Sequence, residues 1–305
     1  MTETENVSRE LLHELKSLKK SRRRKFFFKL IFIFIAIAVV GVLLGKKEAA
    51  FFKPHVALVQ LKGVIGEDQD IEAAPVMEAL QTALNNDLSV GVILEINSPG
   101  GSPVQSALIY DEIRSLRKKH VGKNIHCMVT DIAASGGYYV ASACEKIFAN
   151  RASLVGSIGV VLSGLYTFGF TKAMEHLGIE RRMMTAGKHK SFLDPFSPVD
   201  KAEQDHIQAM LDNLHAEFIA DVKNGRGTKL KNTDEIFTGL IWSGKKALEL
   251  GLIDGFSSRT RIAKDQFNKT NIYDYTPKKN PFDEFVRLSG ALSDSLKLIK
   301  KLTGS

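Results

Sequence analysis

Val90-Gly-Val-Ile-Leu-Glu-Ile96, followed at once by Asn97-Ser-Pro-Gly-Gly-Ser-Pro103, is the stretch on which the fold turns. Its first seven residues are a near-continuous apolar, β-branched run, the signature of a strand covered on both faces. The Pro and Gly that follow break the chain, and Val104 to Lys119 then reads as a helix. Working outward, His55 to Ile65 reads as a strand and Ala74 to Asn85 as a helix on the N-terminal side. On the C-terminal side, Ile125 to Thr130 is a third strand and Gly136 to Cys144 its helix. Alternation of this kind predicts an α/β domain with mostly parallel strands.

Further along, Lys146 to Ala149, Gly156 to Leu162 and Arg181 to Thr185 read as short strands, and Thr171 to Leu177 as a helix. A long helix is predicted over Ala202 to Asn224, between Pro198-Val-Asp200 and Gly225-Arg-Gly227, and a short one over Lys245 to Leu250, closed by Gly251. The last segment, Phe282 to Leu302, places Phe282, Phe285, Leu288, Leu292, Leu296 and Ile299 on one stripe of a helix. No internal repeat or low-complexity segment is present.

The chain has 305 residues, 44% hydrophobic and 25% charged, with a net charge of +8. Residues 1 to 50 carry 11 Lys and Arg against 5 Asp and Glu, so the body of the protein is nearly neutral. That placement excludes a nucleic-acid face on the folded domain. The basic cluster Lys16-Ser-Leu-Lys-Lys-Ser-Arg-Arg-Arg-Lys25 precedes an apolar run from Phe26 to Gly45, interrupted only by Lys29. About 20 apolar residues cross a bilayer as a helix, and the basic excess before them keeps the N-terminus in the cytoplasm. A cleaved signal peptide is the competing reading, against which stand the long basic region and Lys46-Lys47-Glu48 at the approach to any cleavage site.

The expected organisation is a basic tail over 1–25, a membrane anchor over 26–45, a linker over 46–54, a catalytic domain over 55–260 and a C-terminal segment over 261–305. Cys127 and Cys144 are the only cysteines. In an oxidising compartment they could pair, but two buried thiols are the favoured account.

Acyl transfer needs a nucleophile, a base and amide donors aimed at the developing oxyanion. The glycines of Asn97-Ser-Pro-Gly-Gly101 free their amides to donate, although an ordinary strand-to-helix turn would look similar. Ala133-Ala-Ser-Gly-Gly-Tyr-Tyr139 places Ser135 at another strand-to-helix junction, as nucleophile or as helix cap. The first glycine of the G-x-S-x-G elbow is replaced by Ala133. For the base, His126 and His189 are the histidine candidates, and no metal-ligand spacing such as H-E-x-x-H occurs. The three S-x-x-K matches, Ser17 to Lys20, Ser115 to Lys118 and Ser243 to Lys246, fall in unsuitable contexts. The better source of a base is Thr185-Ala-Gly-Lys-His-Lys-Ser-Phe-Leu-Asp-Pro-Phe196. A lysine acts as a base once its pKa falls from ~10.4 toward 7, about 4 kcal/mol, which desolvation against Phe192 and Phe196 would supply.

With these segments the chain resembles the signal peptide peptidase A family of bacterial membrane serine peptidases, in its short, single-repeat form. The likeness covers about Val56 to Gly255. It rests on Asn97-Ser-Pro-Gly-Gly101, Asp131-Ile-Ala-Ala-Ser-Gly-Gly-Tyr-Tyr139, Gly156-Ser-Ile-Gly-Val160, Gly187-Lys-His-Lys-Ser191 with Asp194-Pro-Phe196, and Ala247-Leu-Glu-Leu-Gly-Leu-Ile-Asp254. The resemblance implies a Clp-protease/crotonase-like fold, Ser135 as nucleophile and Lys190 as general base, with Gly101 and Gly136 as the oxyanion hole.

It also implies that Gly156, Ser157, Ile158, Gly159 and Val160 form the strand beside which an extended substrate lies. No cofactor or metal is implied. The implied setting is the cytoplasmic membrane of a bacterium, with the catalytic domain outside, acting on hydrophobic peptides such as remnant signal peptides. The lysine would come from a neighbouring subunit of a ring, an octamer by resemblance. One departure is Leu240 in Thr238-Gly-Leu-Ile-Trp-Ser243, where relatives carry arginine. Competing readings are a Clp-type protease of membrane proteins and a non-catalytic scaffold or acyl-CoA binder on the same fold.

Overall fold

The computed structural model describes residues 53–163, 167–231 and 234–278, together with positions 29, 31, 32 and 34. The anchor expected over 26–45 and the helix expected over 282–302 fall outside the described residues, apart from those four positions. Among the described residues no helix is long and apolar enough to cross a membrane. Of the described residues, those from Pro54 to Lys278 form one compact unit.

The alternation read from the sequence is the alternation found. Strand β1 (His55–Lys62) leads to helix α1 (Ala73–Asn85), β2 (Ser89–Ser98) to α2 (Pro103–Lys119), and β3 (Ile125–Ala134) to α3 (Gly136–Ser142). The strands β4 (Lys146–Ala149) and β5 (Leu154–Gly156) follow, then α4 (Thr171–His176) and the 26-residue α5 (Lys201–Arg226). The chain closes with β6 (Ile241–Ser243), α6 (Gly244–Glu249), β7 (Gly255–Phe256), α7 (Arg259–Phe267) and β8 (Ile272–Asp274). The fold therefore continues past residue 260, because β8 pairs in parallel with β1.

One sheet has the order β6-β5-β3-β2-β1-β8, and only the β5–β6 pair is antiparallel. Successive residues of a strand point to opposite faces. Accordingly Ala57, Val59 and Leu61 join Leu80, Leu84, Ile109 and Ile113 of α1 and α2 in the main core. Val56, Leu58, Ile93 and Met128 face the other way, onto Ile262 and Ala263 of α7. Covering both faces is what the unbroken apolar run of β2 required.

Strand β3 divides between two neighbours: His126 to Met128 pair with Lys146 to Phe148 of β4, whereas Ile132 to Ala134 pair with Leu154 to Gly156 of β5. Beside the β4 limb, the fully buried Arg226 donates to Asp254 at 2.7 Å and, through Nε and Nη2, to the Gly251 carbonyl. Asp254 also receives the Ile147 N–H. Burial raises the Asp254 pKa, but the hydrogen bond and charge of Arg226 outweigh this and hold it below the usual carboxylate range.

Three sequence expectations are corrected. The strand expected over Gly156 to Leu162 ends at Gly156, because Ser157 adopts φ 54° and turns the chain out of the sheet. Arg181 to Thr185 forms no strand: the segment is exposed and has no neighbouring strand to pair with. Cys127 and Cys144 are joined as a disulfide, since β3 and the end of α3 bring their Cα atoms to 5.8 Å, within bridging range. Between Ser157 and Asp200 the chain carries α4 and a string of exposed apolar side chains, among them Phe168, Leu177, Ile179 and Met184.

Candidate active site

Ser135 occupies the residue between β3 and α3 with φ 52° and ψ −124°. A side chain other than glycine rarely holds such a conformation, which costs about 1–3 kcal/mol unless its surroundings impose it. The imposing contacts are on both sides. The Ser135 N–H donates to the Gly156 carbonyl at 2.9 Å, and the Ser135 carbonyl receives the Tyr139 N–H at 2.9 Å. Helix α3 is fixed in turn by Tyr138, whose hydroxyl donates to the Leu252 carbonyl, and by Tyr139, which stacks on Phe218 and donates to Asp221. Burial pushes the hydroxyl pKa of both tyrosines upward, so they remain neutral donors.

The side chain does not act as a helix cap: Ser135 makes no capping hydrogen bond. Its Oγ has no hydrogen-bond partner among the described residues and faces a cavity of about 660 Å³ shared with Pro99, Gly101, Ser157, Gly159, Val160 and His215.

The glycine loop lies directly against this turn. A β-carbon on Gly100 would fall 2.8 Å from Ser135 Cβ, and one on Gly136 would fall 3.3 Å from the Gly101 nitrogen. Gly101 is held open at φ 148° between two hydrogen bonds, from the Ile65 N–H to the Gly100 carbonyl and from the Ser102 N–H to the Ile65 carbonyl. A side chain there would meet the Ile65 oxygen at 2.0 Å. Ser98 steadies the loop by accepting the Gly100 N–H at 3.2 Å. Among the described residues the N–H groups of Gly101 and Gly136 are donated to no acceptor. Two neighbouring free amides beside a free hydroxyl are the parts acyl transfer requires.

Gly156 holds the Ser135 backbone, while Ser157, Gly159 and Val160 line the Ser135 cavity. The Ile158 side chain is fully buried. Lys190 stands elsewhere. It is exposed and lines a separate, largely apolar cavity of about 770 Å³ with Phe192, Leu193, Ile207 and Met210. Phe196, expected to desolvate it, is instead covered by the Arg181 guanidinium and stacked on Phe170. A third cavity adjoins both, sharing Val160, Val161 and His215 with the first and Leu162, Leu193 and Ile207 with the second.

Neither histidine candidate reaches Ser135's cavity. His126 is buried against Phe148 and Phe267, where desolvation and then Lys146 bring its pKa down to about 4. His189 pairs with Glu203 at 3.0 Å beside Lys190. The histidine on the cavity is His215, in the middle of α5, which no local pattern distinguishes from the other helical histidines.

Comparison with known proteins gives the family of the chain. Residues 117–272 match the model of peptidase family S49. A Na(+)/H(+) antiporter of Brucella abortus is 41% identical over 201 residues, covering 66% of this chain and 27% of that protein. The chain thus spans about a quarter of the length of that relative. A Synechocystis protein assigned as a protease is 31% identical over 202 residues, covering 66% of this chain and 69% of the other. Protease 4 of Haemophilus influenzae is 28% identical over 254 residues, covering 79% of this chain and 40% of the other. The family match takes in the Ser135 turn, the Lys190 segment and α5, and with the Synechocystis relative it shows that the chain belongs to peptidase family S49.

Proposed function

We propose that the chain is a membrane-anchored serine endopeptidase that uses Ser135 as nucleophile and Lys190 as general base, and that cleaves hydrophobic peptides, remnant signal peptides among them, outside the cytoplasmic membrane. The observation that carries this reading is the strained Ser135, its hydroxyl unbonded beside the free amides of Gly101 and Gly136. Ser135 Oγ attacks the scissile carbonyl, its proton passes to the lysine amine, and the carbonyl oxygen draws the two N–H groups. The protonated lysine then returns the proton to the leaving amine, and water repeats the sequence to release the acyl group.

An extended substrate would lie along Ser157 to Val160. Because Ser135 and Lys190 line separate cavities of one chain, the lysine is supplied by a second copy in a ring, an octamer by family resemblance. The exposed apolar side chains between Phe168 and Val199 suit burial between copies. The anchor over 26–45 holds this assembly at the bilayer.

The test is labelling of the full-length protein in detergent with a fluorophosphonate probe. The expected result is modification at Ser135, abolished by Ser135→Ala and by Lys190→Ala while the oligomer persists. Labelling that survives Lys190→Ala at the wild-type rate removes the lysine from the mechanism.

A further inference from the structure

We propose that His215 is a positioning residue for the substrate: from α5 it fixes where the peptide-pairing edge beside Ser135 begins. The proposal rests on the reading of Ser157 to Val160 as that edge.

The chain leaves β5 through three consecutive anchored residues. Gly156 accepts the Ser135 N–H at 2.9 Å, Ser157 donates to the Leu240 carbonyl at 2.7 Å, and the Ile158 carbonyl receives the Gly239 N–H at 3.1 Å. The same Ile158 oxygen lies 3.0 Å from His215 Nε2. A carbonyl only accepts, so Nε2 carries the proton, and both lone pairs of Ile158 are taken. Among the described residues, Gly159 to Ser163 form no backbone hydrogen bonds. The unbroken run of peptide groups open to an incoming strand therefore starts past the Ile158 carbonyl that His215 holds; before it, among the described residues, only the Ser157 carbonyl and the Ile158 N–H are also open.

Without the histidine, the Ile158 oxygen keeps only the Gly239 bond. It becomes a competing acceptor one residue from the free edge, and a peptide can pair out of step with Ser135. A shift of one residue in an extended pairing reverses which side chains face the cavity. His215 also walls both this cavity and the adjoining one that runs toward Leu193 and Ile207. Its ring thus borders the path an extended peptide would follow, whereas a substrate confined to the scissile residue need not pass it.

The experiment compares His215→Ala, His215→Phe and His215→Gln in the full-length protein with two substrates, an extended fluorogenic peptide and a single-residue thioester. Phenylalanine keeps the ring volume without the donor, and glutamine restores an N–H. For the peptide, KM rises about tenfold in the Ala and Phe variants, with kcat changed less than threefold, as expected for loss of one hydrogen bond that orients substrate. His215→Gln recovers most of that loss, and the thioester distinguishes none of the three. The proposal is overturned if His215→Ala leaves the peptide KM unchanged, if both substrates lose equally, or if Phe rescues as well as Gln. A wild-type protein that neither labels at Ser135 nor hydrolyses either substrate removes the peptidase reading and this proposal with it. A labelled, active wild type with an indifferent His215 removes the proposal alone.

Discussion

The backbone N–H of Ser135 donates to the carbonyl of Gly156 at 2.9 Å, and this single bond joins the turn of the proposed nucleophile to the start of the segment proposed to hold the substrate. It also helps hold Ser135 at φ 52°, where its own side chain gains nothing in return. The strain should be measurable. Ser135→Gly is expected to be more stable than Ser135→Ala by about 1 kcal/mol, the relief of a left-handed backbone less the extra freedom glycine has when unfolded. Chemical denaturation of the two variants decides it, and equal midpoints would mean that the turn is unstrained.

Placement of Ser135 and Lys190 on separate cavities leads to a mixing experiment. Alone, Ser135→Ala and Lys190→Ala should each lower kcat/KM on the order of 10³-fold or more. When equal amounts are dissociated and reassembled together, about a quarter of the interfaces in a ring pair an intact serine with an intact lysine. Peptide hydrolysis should then return to roughly that fraction of wild type. A dyad formed within one chain would recover nothing.

Gly136 offers a test of the oxyanion geometry. A β-carbon there would meet Ser106 Oγ at 2.3 Å, so Gly136→Ala must push the α3 turn away from Gly101. A fall in kcat on the order of 10²-fold is expected, similar to loss of one oxyanion donor. Adding Ser106→Ala removes the atom in the way and should restore part of the rate. A double variant no faster than Gly136→Ala would place the cause elsewhere than this contact.

His126 predicts a pH dependence of stability. Burial brings its imidazole down to about 4, below the unfolded value near 6.5, so across that window the unfolded chain binds a proton that the folded chain refuses. The contribution of the neutral ring is complete above pH 6.5 and falls with acidification by up to ~1.4 kcal/mol per pH unit until the folded pKa is reached. Denaturation curves between pH 7 and 4 should show a steeper decline for wild type than for His126→Leu. Parallel declines would exclude His126 as a source.

The parts legible in the sequence are those whose cause is local. β2 announced itself because a strand buried on both faces needs apolar residues at nearly every position, and Ser135 because small residues crowd a tight turn. The errors came where a local pattern lacked a partner or found an unforeseen one. Arg181 to Thr185 has residues suited to a strand but no strand beside it, and Gly156 to Leu162 was cut short by the turn at Ser157. His215 and Arg226 were invisible because their partners, Ile158 and Asp254, are 57 and 28 residues distant. Only the folded chain puts them together.

The change of neighbours along β3 sets what the protein can alter in its evolution or its engineering. On the β4 limb, the disulfide and the Arg226–Asp254 pair act as fastenings, and a substitution there that keeps the limb attached leaves the far end of the strand in place. On the β5 limb, a slip of a single residue in the pairing of Ala134 with Gly156 would withdraw the carbonyl that holds Ser135 and reverse the faces of the residues beyond it. Changes of length between Cys144 and Leu154 are therefore tolerated only if they leave that register intact. The nine residues from Glu145 to Ser153 are where such variation is constrained from both ends.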